Sequence, residues 1–589
     1  MAKHYLPVER DQPFLLPPSV QDFIPEDDLA WFLIDAVAAM DTTRFHARAR
    51  LGGVGRAGYD PDMLLTLLIY AYCLGQRSSR RVEALCVRDL GFRVVTGNRV
   101  VDHSTIAAFR AGHQEAIKEL FAEVLLLCAK AGLRQVGVVA VDGTKIAASA
   151  GLGKTREREA LQREYERLST DIERMLAEAA AIDAHQDTLF GPGNRGDELP
   201  PDLRRRINRL DRLTEALRQI DQARAEHDAE EHGPTPTGRP RRADQVGTAQ
   251  HKLDQLKQRR DQRLAKEQAA GRRLPGSRPD YDALIGQAET DLAAAQAEAD
   301  AAQTSPEDAT TPDNTPGTDL VPYAAPSNEV AVRDTPGTDL APRARVATDL
   351  ALRPGCDADH LPSAARRGNA TDPDSRVLKT RRGWIQGYNC QAAVVRVQHG
   401  RRLVLAAEVT QDANDMHQAV PMMTTAVANT QHARLGTPEL FALDAGYWSD
   451  DNLTAPGPDR LIAPGKNRTM LAELRTNGYA TGQAPPDASP ADRMRHRLRT
   501  QAGAESYAQR APTVEPLFGD TKHNRGITAF QRRGTPAADN EWKLIHATTN
   551  LRTLHRHTRD LRHGSLRETV THHAQQTDTE TNEHRNELK

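Results

Sequence analysis

Apolar residues recur at helical spacing from about Asp28 to Leu133, as in Trp31, Ile34, Val37 and Ala38, then Met63, Leu64, Leu67, Leu68 and Ala71. A stripe of that period buries one face of a helix, so residues 1–133 are predicted to form a helical domain. Pro61 is placed to open a helix, and the hydroxyls at Ser78-Ser79 and Ser104-Thr105 suit N-terminal caps. The pair from about Ser79 to Ala111 has the form of a helix-turn-helix. The period then changes. Gln135 to Thr144, QVGVVAVDGT, is a β-branched apolar run ending in Asp-Gly, which predicts a buried strand that stops at Asp142. Two further runs, Tyr388 to Val397 and Arg402 to Thr410, flank a Gln-His-Gly turn and predict a hairpin. A helix from about Met416 to Thr430 follows, then strands at Glu439 to Tyr447 and Arg460 to Gly465.

The stretch between the first strand and the hairpin differs in kind. Leu161, Tyr165, Leu168, Ile172 and Met175 step by four and three, as do Leu203, Ile207 and Leu210, among Glu, Arg and Gln, which predicts an inserted coiled-coil-like arm. From about Thr304 the chain turns to Pro, Thr, Asp and Ala, and TPGTDL at Thr315–Leu320 repeats at Thr335–Leu340. Two copies are too few for a solenoid, so a disordered linker is expected. The resulting scheme is a helical domain (1–133), the first part of an α/β core (134–150), a helical insertion (151–303), a linker (304–372), the second part of the core (373–562) and a disordered tail (563–589).

Composition refines this picture. A chain of 589 residues exceeds a single core, and a hydrophobic share of 38% leaves stretches that bury little. The net charge of -2 names no partner. Locally, residues 492–562 hold 14 Lys or Arg against 7 Asp or Glu, a bias that suits DNA. Five cysteines with no CxxC argue against a disulfide framework or a zinc site. No apolar run approaches a membrane span, and the N-terminus lacks a signal-peptide core, so a cytoplasmic protein is expected, nucleoid-associated if its partner is DNA.

The candidate chemistry lies in acids. Asp142 and Asp444 each end a predicted core strand, about three hundred residues apart. Neighbouring strand ends would bring them side by side, where they repel unless a cation intervenes, and hard oxygen ligands suit Mg²⁺, with Mn²⁺ as an alternative. Glu515, in SYAQRAPTVEPLFGDTKHNRG, offers a third acid beside Tyr507, Arg510 and Lys522. Such a set fits metal-assisted attack on a phosphodiester without a covalent protein nucleophile. Asp142 or Asp444 alone reads as a turn; the set with Glu515 is what carries the function. Asp415, before a predicted helix, reads as its cap rather than a fourth acid, and Trp448 as a core residue. Lys145 and Arg525 are balanced between phosphate contacts and solvated charges. His546, His555, His557 and His563 read as a solvated or DNA-facing helix rather than a metal site. Arg77, Arg80, Arg81 and Arg110 are the basic residues of the helix pair.

DGTKIAA, GYNCQAAV, DAGYWSDDNL and VEPLFGDTK, together with GYDPDMLLTLLIYAYCLGQRSSRRVEAL and VVDHSTIAAFR, resemble blocks of the DDE transposases of bacterial insertion sequences. The resemblance implies an α/β, RNase H-like mixed sheet with flanking helices behind an N-terminal all-α DNA-binding domain. It implies Asp142, Asp444 and Glu515 as catalytic metal ligands, Tyr507, Arg510 and Lys522 as the accompanying Tyr, Arg, Lys signature that contacts DNA and, in the helical domain, Arg80 and Arg81 as DNA contacts; Arg525 is a further candidate DNA contact. Four residues separate Arg510 from Glu515 where the common signature has three. The implied reaction is cleavage at terminal inverted repeats and strand transfer into target DNA by a homodimer or higher assembly. The rival readings are a transposase-derived regulator that binds without cutting, and a scaffold built on the arm.

Overall fold

The computed structural model describes residues 19–47, 58–134, 136–190, 201–232, 281–303, 367–381, 383–465, 474–476, 478–561 and 568–571, with single positions between 250 and 261 and at 566. Most of the linker, the tail beyond 571, His563 and residues 1–18 of the helical domain lie outside the described residues. The chain forms two compact units, one of Met1–Gln219 with Arg367–Lys589 and one of Ile220–Arg366.

The first unit opens with helices α1 (Leu29–Ala38), α2 (Pro61–Cys73), α3 (Ser79–Arg88), α4 (Leu90–Val95), α5 (His103–Gly112) and α6 (Gln114–Lys130). Asp60 caps α2 by accepting from Asp62 N, and Pro61 takes the first helical position, where its missing N–H costs nothing. Every residue from Leu64 to Cys73 is buried, the mark of a helix enclosed on all sides. The cap of α5 is Asp102, which accepts from the backbone of Ser104 and Thr105 and from both hydroxyls, so those hydroxyls donate rather than cap.

Strand β1 (Val138–Ala147) follows, then β2 (Thr155–Glu157), α7 (Arg158–Phe190) and α8 (Pro201–His232). The expected strand end at Asp142 is corrected here. β1 runs five residues further because a long antiparallel partner, β5, pairs with it from Val139↔Val395 to Ala147↔Gly387. Helix α9 (Tyr281–Gln303) belongs to the second unit, whose small core joins Leu253, Ile285 and Ala288.

The first unit resumes with β3 (Arg367–Asn369), which pairs with β2; residues 367–372, expected in the linker, are therefore part of the fold. Asp372 is fully buried and accepts from the Tyr388 hydroxyl at 2.8 and 2.9 Å and from Gly534 N at 3.0 Å. Then come β4 (Arg376–Thr380), β5 (Gly383–Arg396), β6 (Arg402–Thr410), α10 (Ala419–His432), β7 (Leu440–Leu443) and β8 (Arg460–Ile462). The expected hairpin is β5–β6. The sheet runs β4-β5-β1-β7-β8 with β6 also paired to β5; β1 is antiparallel to β5 and parallel to β7, which makes the sheet mixed.

Helices α11 (Pro490–Arg499), α12 (Gln501–Ala508), α13 (Arg510–Gly519) and α14 (Thr535–Asp560) complete the unit. α14 packs on α6, α2 and β6, and the buried residues of the N-terminal helices and the sheet form one continuous core. The helical region is thus joined to the sheet rather than set apart at residue 133. A buried ion pair, Arg77–Glu541 at 2.7 Å, ties α14 to the loop before α3.

Candidate active site

Asp142 lies in the middle of the sheet, on β1, and Asp444 directly follows β7. The last paired residues of these parallel strands are Val141 and Leu443, so the two aspartates are the next residue of each. Hydrogen bonding between strands fixes this neighbourhood although the chain between them is long. Asp444 opens the turn after β7 and accepts from Gly446 N at 2.8 Å, while Asp142 accepts from Gly143 N at 2.9 Å.

Arg510, the first residue of α13, stands between them. Its Nη2 is 3.0 Å from Asp142 Oδ2 and 3.4 Å from Asp444 Oδ2. Burial pushes the Asp142 carboxyl up to about 7, against Arg510, which lowers it, and with Asp444 and Asp415 adding repulsion. Burial alone would pull the Arg510 guanidinium down, but the two aspartates outweigh it and leave its pKa raised. Two half-enclosed carboxylates sharing one cation form a site built for positive charge, and their hard oxygens suit a divalent ion. The Arg510 Nε is buried without a hydrogen-bond partner, so the guanidinium is held by charge rather than by a complete hydrogen-bond set.

Glu515 sits on the same helix, which packs against β1 and β5, but its side chain is exposed. Among the described residues, the only three acid or histidine groups with ligand atoms all within 4.8 Å of one another are His46, Asp60 and Asp62, an exposed surface set. The structure therefore brings Asp142 and Asp444 together and leaves Glu515 outside their immediate cluster.

The remaining expected contacts divide. Lys522 donates to Thr144 Oγ1 at 2.6 Å and to the Lys145 carbonyl at 3.1 Å, beside Asp142 on β1, and burial lowers its pKa. Tyr507 is enclosed with Leu440, Ala442, Leu461 and Leu498, and burial pushes its hydroxyl up to about 12. Arg80 and Arg81 are exposed on α3. Arg525 is corrected from a DNA contact to a structural residue: its guanidinium is buried among the Ile545 carbonyl, Thr521, Thr548 and Thr549, with Asp520 at 3.2 Å. Arg77 is likewise buried, and half-buried Arg110 donates to its carbonyl. Lys145 donates to the Lys379 carbonyl, and Trp448 packs on the core with Arg495 over its ring at 5.4 Å. His546 and His557 are buried, against the expected solvated helix; burial drives the His546 pKa well down, and its ring stands edge-on to Trp542.

Asp415 does not cap its helix. Its Oδ1 accepts from Asn389 Nδ2 at 2.8 Å and Gln391 Nε2 at 2.6 Å, and the Tyr447 hydroxyl donates to Gln391 Oε1. Successive strand residues face opposite sides, so Gly143 turns away from the side Asp142 faces, and there a side chain would overlap the Asp415 carboxylate. A Cβ on Gly446 would lie 3.0 Å from Asp444 Oδ1 and 3.2 Å from Asp415 Oδ2. The glycines of Asp142-Gly and Asp444-Ala-Gly thus make room for a third aspartate. Sequence reading missed Asn389, Gln391 and Tyr447; two amides at i and i+2 within an otherwise apolar strand were the available signal.

The described geometry meets two family matches. Residues 18–112 match the Transposase domain (DUF772) and residues 465–555 match the Transposase DDE domain, as a DDE transposase of an insertion sequence would. Tyr507, Arg510, Glu515, Lys522 and Arg525 fall within the second match, while Asp142 and Asp444 lie outside both. No curated protein and no solved structure matches the chain.

Proposed function

We propose that this protein is a DDE transposase that cleaves DNA at the ends of a mobile element and joins them to target DNA, using Asp142, Asp444 and Glu515. The observation that carries the reading is the meeting of Asp142 and Asp444 on adjacent parallel strands around one shared cation. The strand order, with β1 central between antiparallel β5 and parallel β7, supports an RNase H-like core.

Asp142 and Asp444 would hold Mg²⁺ or Mn²⁺, with Glu515 joining from α13. Bound there, the ion would supply Lewis-acid activation of the attacking oxygen and stabilisation of the leaving one. The protein's own residues have separable tasks. Asp142 must be deprotonated to act as a ligand, and Arg510 favours that form. Asp415 adds negative charge behind β1 and is held there by the Asn389 and Gln391 amides of β5. Lys522 pins the strand after Asp142 through Thr144 and Lys145, leaving β1 a fixed platform. Glu515 is exposed on α13, five residues after Arg510, and would meet a phosphodiester laid across the site. Arg80 and Arg81 would add phosphate contacts from the helical region, and a dimer or larger assembly would pair two ends.

The test is cleavage of plasmid-borne element ends with Mg²⁺. Asp142→Ala, Asp444→Ala and Glu515→Ala should each abolish cutting while binding to ends persists. Cleavage retained by Asp444→Ala would sink the assignment.

A further inference from the structure

The α7–α8 hairpin near the sheet carries a groove of about 850 Å³ whose charge is sorted by face. Six arginines line it: Arg156, Arg163, Arg167, Arg205, Arg206 and Arg209. Only two acids do, and each is shared. Glu164 pairs with Arg156 at 2.8 Å and with Arg209, and Asp171 pairs with Arg206 at 3.0 Å and with Arg174 at 2.9 Å. Arg205 reaches Asp202 at 3.4 Å with both side chains open to solvent, a pairing worth little. Glu159, Glu166 and Glu173, from the same turns of α7, do not line the groove. A helix stabilised only by its own surface ion pairs would mix these signs on every face.

The positive face extends toward the sheet. Arg212 is half-buried on the next turn of α8, and after burial the causes that lower its pKa are Arg533 and Arg209. Arg533 in turn donates to the Ser149 carbonyl, just past the end of β1. Guanidinium groups gathered this closely repel one another, and a polyanion relieves that repulsion.

We infer that this groove binds the phosphate backbone of duplex DNA, independently of sequence. A single helix is about 10–12 Å across and fills the ~12 Å major groove, so two helices side by side are too wide to enter it and read bases. The face shared by both helices meets the backbone instead, where arginines form paired hydrogen bonds to phosphate oxygens. On helices α7 and α8, Arg163 and Arg167, and Arg205 and Arg209, stand four residues apart, about 6 Å along each axis, giving a ladder of contacts rather than one anion pocket. The inference rests on the proposed DNA substrate and names the surface that would hold DNA outside the acid cluster.

The experiment titrates the full chain with a labelled random-sequence duplex in EDTA, between about 50 and 200 mM salt. Each phosphate contact removed should lower the slope of log affinity against log salt by about one, so R163Q/R167Q/R205Q should lose about three. R163K/R167K/R205K should keep most of the slope, because it keeps the charge. An unchanged slope in the Gln variant overturns the proposal, as does a wild type that prefers an acidic polypeptide or single strands to duplex. R163Q/R167Q, on two exposed residues, gives the same readout, with a loss of about two expected, if the triple variant unfolds. Mg²⁺-dependent cleavage, measured separately, tells the failures apart: loss of the transposase reading appears as an uncut plasmid, failure of the groove as an unaltered salt slope.

Discussion

The Asp415 carboxylate occupies the space into which a side chain on Gly143 would project. Gly143→Ala should therefore force Asp415 or β1 to move, at a cost of about 1–3 kcal/mol as for other overpacked sites. Asp415→Ala should relieve part of the overlap, leaving the contact with Gln391 Nε2 at 2.6 Å. Thermal unfolding of both single variants and the double variant would show a coupling of about 0.5–3 kcal/mol. Additive effects would mean the two positions are independent.

Arg510 already occupies the space between the two aspartates, so a divalent ion must compete with it. In Arg510→Ala, Mn²⁺ should bind more tightly at pH 8, while DNA cleavage falls. Calorimetric titration of Mn²⁺ checks this, and an affinity equal to wild type would show that the guanidinium does not contest the site.

The raised Asp142 pKa makes metal-free stability depend on pH in a defined direction. Between the ordinary 3.8 and about 7 the folded protein holds this proton while the unfolded chain releases it. The unfolded state then binds fewer protons, so stability falls as pH rises through that window. Unfolding in EDTA should show wild type losing stability relative to Asp142→Asn from about pH 4 to 7, by on the order of a few kcal/mol. A parallel pair of curves would contradict the shift.

Arg77 and Glu541 form a buried pair, their side chains 8% and 0% exposed, and Glu541 also accepts from Gln531 N. Arg77→Met strands that carboxylate and should cost about 3–5 kcal/mol of stability. The same change should leave the salt dependence of DNA binding by the folded fraction unaltered. A stable variant with a reduced salt slope would instead make Arg77 a phosphate contact.

Much of the sheet was legible because β-branched apolar runs with turn residues between them can bury their faces in few other ways. The β5–β6 hairpin follows directly from two such runs around Gln-His-Gly. β1 was truncated in the reading because Asp-Gly is a common turn, whereas the length of β5 supplies pairing that carries the strand to Ala147. Arg525 looked like a phosphate ligand because charge is visible in sequence and enclosure is not. Asp415 looked like a cap because it precedes a helix, and only the amides of Asn389 and Gln391 show where its carboxylate goes.

The sequence by itself determined the local periods, the acids that end or interrupt apolar strands, and the basic bias of the C-terminal region, since these depend on neighbours along the chain. Only the tertiary structure decided which charges meet: that Arg510 lies between Asp142 and Asp444, that Arg77 and Arg525 are spent inside, and that six arginines share one groove. The reason is physical. A charge acts over a few ångströms through space, and strand pairing and helix packing bring together side chains that hundreds of residues of chain keep apart.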